Sequence, residues 1–248
     1  MNRYFVQVAY DGTAFNGSQV QGTLPTVQLA VNKALSTLLR RPIESYGASR
    51  TDEGVHALSN MYHFDADPIN ADDFKYRMNA LVPKELAIIN IKQTINRDAN
   101  CRFDAIKRRY RYKIHFSKNP FANNRSYFFP FAFATDRLHE TAATLLRHVD
   151  FETFCKRNSQ TFTHLCTIHE SYWNIKEDGL EYIVCANRFL RGMVRALVGT
   201  QLNCARGKFE VEDFEKRIMA QDCSLADFSV PGHGLYLEEI IYPEDYFL

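Results

Sequence analysis

The chain has no long apolar run. Stretches such as Leu86-Ala87-Ile88-Ile89 are brief, and a membrane-spanning helix needs roughly 20 mostly apolar residues, so no membrane segment is expected. The start, Met1-Asn2-Arg3-Tyr4, lacks the apolar centre of an export signal, and the protein is read as cytoplasmic. Zinc knuckles are missing too: Cys101, Cys155, Cys166, Cys185, Cys204 and Cys223 are spread widely, with no C-x-x-C. That spacing argues for reduced thiols packed as filler rather than a disulfide framework. A looser set, Cys155, His164, Cys166 and His169, offers metal-ligating types, but on a strand His164 and His169 would face opposite sides, and no metal is expected. The stretch 12–22 is glycine-rich yet lacks the GK[ST] ending of a nucleotide-binding loop. Neither charge is in excess, with 30 Lys and Arg against 29 Asp and Glu, so a polyanion partner would have to be met by local clusters.

Such clusters are present. Lys107, Arg108, Arg109, Arg111 and Lys113 form one, and Arg188, Arg191, Arg195, Arg206 and Lys208 another. With 248 residues, 46% of them hydrophobic, the chain buries about three quarters of its unfolded surface as one compact body or two fused lobes.

The pattern predicts a strand over 3–10, then a helix capped by Thr26 with Val27, Val31, Ala34, Leu35, Leu38 and Leu39 on one face. Extended segments over 43–49 and 55–65 flank Arg50-Thr51-Asp52-Glu53-Gly54, whose Asp and Gly favour a turn. A helix starting at Asn70 and a strand over 86–95 follow. The same order then recurs: a strand over 106–116, a helix over 135–149, and a hairpin with arms 163–175 and 180–186 joined at Asp178-Gly179. A helix over 189–205, a short helix over 211–220 and a strand over 235–242 end the chain. The expected fold is α+β: two tandem ferredoxin-like (split β-α-β) lobes, 1–105 and 106–248, with mainly antiparallel sheets and a central cleft.

Ser49-Arg50-Thr51-Asp52-Glu53-Gly54-Val55-His56-Ala57 resembles the catalytic loop of the TruA family of tRNA pseudouridine synthases, which usually reads Gly-Arg-Thr-Asp-x-Gly-Val-His-Ala. Further landmarks recur in order across essentially the whole chain: Tyr10-Asp11-Gly12-Thr13 with Phe15, Gly17, Gln19 and Gln21, then Arg109-Tyr110-Arg111-Tyr112, then Phe189-Leu190 with Met193-Val194-Arg195 and Leu197-Val198-Gly199-Thr200, then Gly234-Leu235-Tyr236-Leu237. The resemblance implies conversion of uridine to pseudouridine at positions 38, 39 and 40 of tRNA anticodon stem-loops, without cofactor or essential metal, by a homodimer with one tRNA lying across both subunits. It implies Asp52 as the catalytic carboxylate, Arg195 as its ion-pair partner, Arg50 as an RNA contact that helps extrude the target nucleotide, and Tyr110 as the active-site tyrosine. Three departures stand out. Ser18 replaces the family's usual Trp, Ser49 its Gly, and Ser59-Asn60 its Gly-Gln; they bear on substrate range more than on reaction type.

The chemistry accounts for a carboxylate here. Breaking the C1′–N1 glycosidic bond builds positive charge on the sugar, and an ionised Asp stabilises or traps that charge, or removes a sugar proton to give a glycal. An opposite charge nearby, from Arg50 or Arg195, favours the ionised form in a water-poor pocket. Arg195 adjoins Val194 in an apolar stretch and is expected to be buried against a partner. Tyr110 offers a ring that stacks on a flipped uracil and a hydroxyl near the departing C5 proton. Arg108, Arg109, Arg111 and Arg191 suit phosphate contacts. For His56, a structural hydrogen-bonding role and an RNA contact stand as equals. Two rival classes are a non-catalytic RNA-binding module and a glycosidase. The latter would need paired carboxylates, and Glu53 diverges from Asp52 on an extended chain.

Overall fold

The computed structural model describes residues 1–159 and 161–248. The first elements are β1 (Asn2–Tyr10), α1 (Val27–Leu39), β2 (Tyr46–Gly47), β3 (His56–Ala66), α2 (Ala71–Asn79) and β4 (Leu86–Gln93). After them come β5 (Lys107–His115), β6 (Tyr127–Phe128), α3 (Thr135–Thr144), β7 (Ile168–Ile175), β8 (Gly179–Ala186), α4 (Met193–Ala205), α5 (Val211–Met219) and β9 (Leu235–Ile241). The chain forms two compact units, one of residues 1–106 with 236–248 and one of 107–235. The architecture is α+β with mostly antiparallel strand pairing. No helix among the described residues is long and apolar enough to cross a membrane.

In the first unit β1 is central, antiparallel to both β4 and β3. The outer edge of β3 is shared. Antiparallel β2 takes Tyr62 and His63, and β9 pairs in parallel with His56 and Ala57. The first helix starts after its predicted cap and the second one residue past its expected start, with Asn70 as its cap: the Thr26 hydroxyl accepts from the Leu29 amide and the Asn70 amide oxygen from that of Asp73. The expected strand over 43–49 shrinks to two residues for a visible reason. On α1, Gln28, Asn32 and Ser36 stand four residues apart, and their side chains bond the Ser45 carbonyl, the Ser45 amide and the Ile43 amide. The backbone of 43–45 is satisfied by the helix instead of a sheet neighbour.

In the second unit β8 is central, antiparallel to β5 and β7, and β6 adds a short parallel pairing to β5. The hairpin turn falls one residue before the expected Asp178-Gly179: the Lys176 amide donates to the Gly179 carbonyl, so Glu177 and Asp178 form the tip and Gly179 already belongs to β8, where a side chain would lie 2.1 Å from the Ile114 carbonyl oxygen. Three boundaries move. The hairpin's first arm begins at Ile168. The third helix ends as α-helix at Thr144, followed by one 3-10 turn before His148 becomes extended. The helix expected from 189 begins at Met193, because Gly192 takes φ +74, a left-handed conformation that interrupts a right-handed helix. The two-residue β6 was not foreseen.

All six cysteines are free thiols and five of them are buried. Cys101 joins a buried cluster under β3. Its amide donates to Nδ1 of His63, its thiol bonds the Tyr46 carbonyl, and the His63 ring stacks on Phe5 and Tyr46. Burial, reinforced by the Arg3 guanidinium, lowers the His63 pKa to about 4. The folded protein therefore refuses a proton that the unfolded chain accepts below about pH 6.5. This contribution to stability is complete at neutral pH and is lost as pH falls from about 6.5 through 4, amounting to about 2 kcal/mol at pH 5. Chemical denaturation at pH 7 and pH 5 should show this drop in the wild type and a smaller one in His63→Gln.

Candidate active site

Residues 50–52 alternate in burial, and the alternation is enforced from below. Thr51 is 7% exposed, whereas Arg50 and Asp52 on either side of it are exposed. Its hydroxyl shares a 2.8 Å hydrogen bond with the Tyr10 hydroxyl. Its amide donates to Oγ of Ser18 at 2.8 Å, and its carbonyl accepts from the Ser18 amide at 3.0 Å. Asn60 extends the network by donating to the Tyr10 hydroxyl and the Ser49 carbonyl. Beyond Asp52 the chain reverses through Gly54 at φ +77, and the Val55 amide closes the turn onto the Asp52 carbonyl.

Glycines of the 12–22 stretch make room for this loop. A Cβ at Gly12 would lie 2.0 Å from the Val55 carbonyl oxygen, and one at Gly17 would lie 3.0 Å from that of Thr51. His56 is part of the support. Its Nδ1 accepts from the Gly12 amide, which leaves the ring proton on Nε2, and the ring stacks on Tyr236 at 4.6 Å. The Asp11 carboxylate is 3.3 Å from the same nitrogen. Of the two roles weighed for His56, burial and these partners favour the structural one.

The remaining candidates lie in the second unit. Period two along β5 sends Arg108, Tyr110 and Tyr112 to its buried face and Arg109, Arg111 and Lys113 to the other. Tyr110 sits opposite Val184 and meets the Phe189 ring edge-on at 5.0 Å. Arg108 is buried and donates to the Asn187 carbonyl at 2.8 Å. On the other face, Arg109 reaches across the Cys185 row of β8 to form two 2.7 Å bonds with Glu170 on β7. Arg111 pairs with Glu181 at 3.2 Å. Arg191 is exposed in the turn before α4.

Arg195 is half-buried on the first turn of α4, donating through Nε to the Val230 carbonyl at 2.8 Å and through Nη2 to that of Phe228 at 3.4 Å. It belongs to a row with Gly199 and Asn203, four residues apart, that holds segment 227–231 along the helix. A Cβ at Gly199 would lie 2.4 Å from the Asp227 carbonyl oxygen, and Asn203 donates to the Asp227 carboxylate at 2.7 Å. Tyr112 fastens the far end through the Pro231 carbonyl. These backbone carbonyls are among the groups against which Arg195 is buried.

Two features escaped the sequence. The support role of Ser18 is one; in the sequence it stands out only as the residue in place of the family's usual Trp, whereas in the fold it brackets Thr51. The other is a pocket of about 150 Å³ on the Arg50 side of the loop, walled in part by Tyr46, Arg102 and Phe103. As for metals, Cys155 and Cys166 are buried with the packing residues. Among the described residues, Asp150, Glu152 and His164 bring ligand atoms within 4.8 Å of one another, with Asp150 already accepting from the Glu152 amide and from Gln221.

Comparison with known proteins shows the family of the chain. The family described as tRNA pseudouridine synthase matches residues 142–243. The tRNA pseudouridine synthase A of Bacteroides thetaiotaomicron is 40% identical over 252 aligned residues, covering all of this chain and 93% of that one. That of Porphyromonas gingivalis is 39% identical with both chains fully covered, and that of Staphylococcus aureus strain MRSA252 is 33% identical over 98% of this chain and 93% of its own. A solved dye-decolorizing protein from V. cholerae, at 11% identity and a TM-score of 0.21, has no bearing on the fold. The class is that of the pseudouridine-forming isomerases. Within it, the chain belongs to the tRNA pseudouridine synthase A family.

Because Ser18 brackets Thr51, its truncation tests the support directly. Ser18→Ala should leave the buried Thr51 amide without its acceptor and lower stability by about 1–3 kcal/mol, read as a reduced denaturation midpoint at neutral pH.

Proposed function

We propose that the protein isomerises uridine to pseudouridine at positions 38, 39 and 40 in the anticodon stem-loop of tRNA, with Asp52 acting on the sugar centre. The observation that carries this reading is the outward pair Arg50 and Asp52 on a loop fastened through Thr51. The reaction breaks C1′–N1, leaving the electron pair on N1, turns the base, forms C1′–C5, releases the C5 proton to solvent and takes a proton from solvent at N1. Atoms and electrons balance without oxidant, cosubstrate or cofactor. The Asp52 carboxylate stabilises or captures the positive C1′ centre, or takes a sugar proton on the glycal route. A uridine inside a stem must first leave its stack, at a cost of a few kcal/mol, and Arg50 beside the carboxylate is suited to fill the space vacated. Tyr110 supplies the stacking ring and the hydroxyl for the C5 proton, and Arg195 is the charge partner assigned to Asp52.

Phosphate contacts divide unequally in this reading. Arg191 is exposed, whereas Arg109 and Arg111 would have to exchange Glu170 and Glu181, and buried Arg108 stands on the Tyr110 face. We read the β-α-β-β-α-β order over 1–105 and again over 106–248 as two tandem ferredoxin-like lobes; the antiparallel order β4-β1-β3-β2 in the first unit supports this. The enzyme is further proposed to work in the cytoplasm as a homodimer that shares one tRNA.

The test is tritium release from tRNA labelled at uridine C5, with filter binding alongside. The wild type should release tritium and leave the nucleotide in the chain. Folded Asp52→Asn should lose at least about a thousandfold in rate, about 4 kcal/mol of barrier, yet bind tRNA at least as well, since it removes a negative charge from a surface facing phosphates. Substantial release by the mutant would remove Asp52 from the chemistry. Wild-type binding without release would favour the non-catalytic RNA-binding module.

A further inference from the structure

The pocket beside the 50–54 loop has the make-up of a second nucleotide site. Its lining includes Arg50, Arg102, Tyr46 and Phe103 but, among the described residues, not Asp52. It therefore adjoins the reacting position without containing it. Tyr46 is 54% exposed and lays one face of its ring on His63 at 5.3 Å, so its exposed part is the opposite face and edge. Phe103 is 76% exposed, with the Arg102 guanidinium 5.6 Å from its ring centroid. At the back, the Tyr62 ring packs so closely on Gly47 that a Cβ there would lie 2.9 Å from it.

The exposure of Phe103 is not that of a loose end. The segment carrying it is tied down at successive residues: the Arg3 guanidinium bonds the Ala99 carbonyl, Tyr242 bonds that of Cys101 at 2.6 Å, and the Cys101 thiol bonds that of Tyr46 at 2.9 Å. The Tyr246 hydroxyl reaches the Asp104 carboxylate at 2.7 Å, and the same oxygen accepts from the Asn100 amide. Tyr242 and Tyr246 stack on one another at 5.0 Å and crowd Phe5. A large aromatic ring exposed on a fastened backbone segment, next to a guanidinium, is a surface suited to a partner. Flat aromatic faces with adjoining cations match one ligand chemistry well: a nucleobase stacked on the ring, with its phosphate on the guanidinium. The volume is on the scale of a single base.

Resting on the function proposed above, we propose that this pocket takes the base of an unpaired nucleotide of the RNA substrate other than the reacting uridine, with Arg50 and Arg102 on its phosphate. Extruding one nucleotide strips its neighbours of a stacking surface, and Tyr46 with Phe103 supplies a replacement, offsetting part of the cost of extrusion. Arg50 then serves both places, which couples capture of the second base to presentation of the first.

Phe103→Ala and Arg102→Ala alter exposed side chains and should melt with the wild type. Loss of one base–aromatic stack should raise the Kd for unmodified tRNA and the KM for tritium release together by about tenfold, without the collapse of turnover expected of Asp52→Asn. Arg102→Ala should also lower the slope of log Kd against log salt by about one. With p-benzoylphenylalanine at position 103, irradiation should attach the protein to an unpaired nucleotide of the tRNA. Unchanged Kd and KM in both variants, or attachment to the uridine that is isomerised, would overturn the proposal. Wild-type release run in parallel separates the two ideas: release with unaffected variants defeats only the second site, and no release defeats the function and this site together.

Discussion

Thr51 faces inward, and that orientation decides what its two neighbours do. Adjacent side chains on an extended segment point to opposite sides, so fastening the middle residue turns Arg50 and Asp52 outward together. The fastening uses every polar group of Thr51: hydroxyl to Tyr10, amide to Ser18, carbonyl to Ser18. Each such bond contributes about 1 kcal/mol net, but a buried amide or hydroxyl deprived of its partner costs about 1–3 kcal/mol, so the loop has little freedom to twist. Gly12 and Gly17 are consequences of the same constraint, since each lies where a side chain would strike the loop backbone. In the function proposed above, a carboxylate held this way is positioned before substrate arrives, which is where much of the advantage of an enzymatic group over a free one originates.

The second unit uses a comparable device on a helix. Arg195, Gly199 and Asn203 grip segment 227–231, and Tyr112 closes the far end through Pro231. Tyr112 and Tyr110 share one face of β5, so the tyrosine assigned to the base is two residues from the one that fastens the segment. On the opposite face, Glu170 and Glu181 pair with Arg109 and Arg111. A run of basic residues in a strand is thus two populations with different surroundings, which matters for any surface meant to hold phosphate.

Much of the fold could be read from local chemistry. Thr26 and Asn70 cap their helices where hydroxyl and amide side chains ought to, and the hairpin turn falls within one residue of Asp178-Gly179. What escaped depended on contacts between distant residues. The short β2 results from a polar row on α1 that no strand pattern contains, and the late start of α4 results from the sign of one φ angle at Gly192. The site was legible in a different way. Taken alone, Asp52 is an aspartate in a turn and Tyr110 a core aromatic; resemblance singled them out. The partners of Arg109 and Arg111 were invisible, because strand register is not written in either strand by itself. The bracketing role of Ser18 and the pocket at Phe103 were missed for the same reason, since both acquire meaning only from what the fold brings beside them.

The central claim is that the carboxylate is placed by a single buried network acting through Thr51. Tyr10 and Ser18 hold different atoms of that residue, so a double-mutant cycle with Tyr10→Phe and Ser18→Ala, read on the rate of tritium release at saturating tRNA, tests it most directly. If the network acts as one support, the first substitution already releases the loop, and the double mutant should lose less than the sum of the single losses, with a coupling above about 0.5 kcal/mol. Additive losses would mean that the two residues act independently and that Thr51 is not the point through which the site is held.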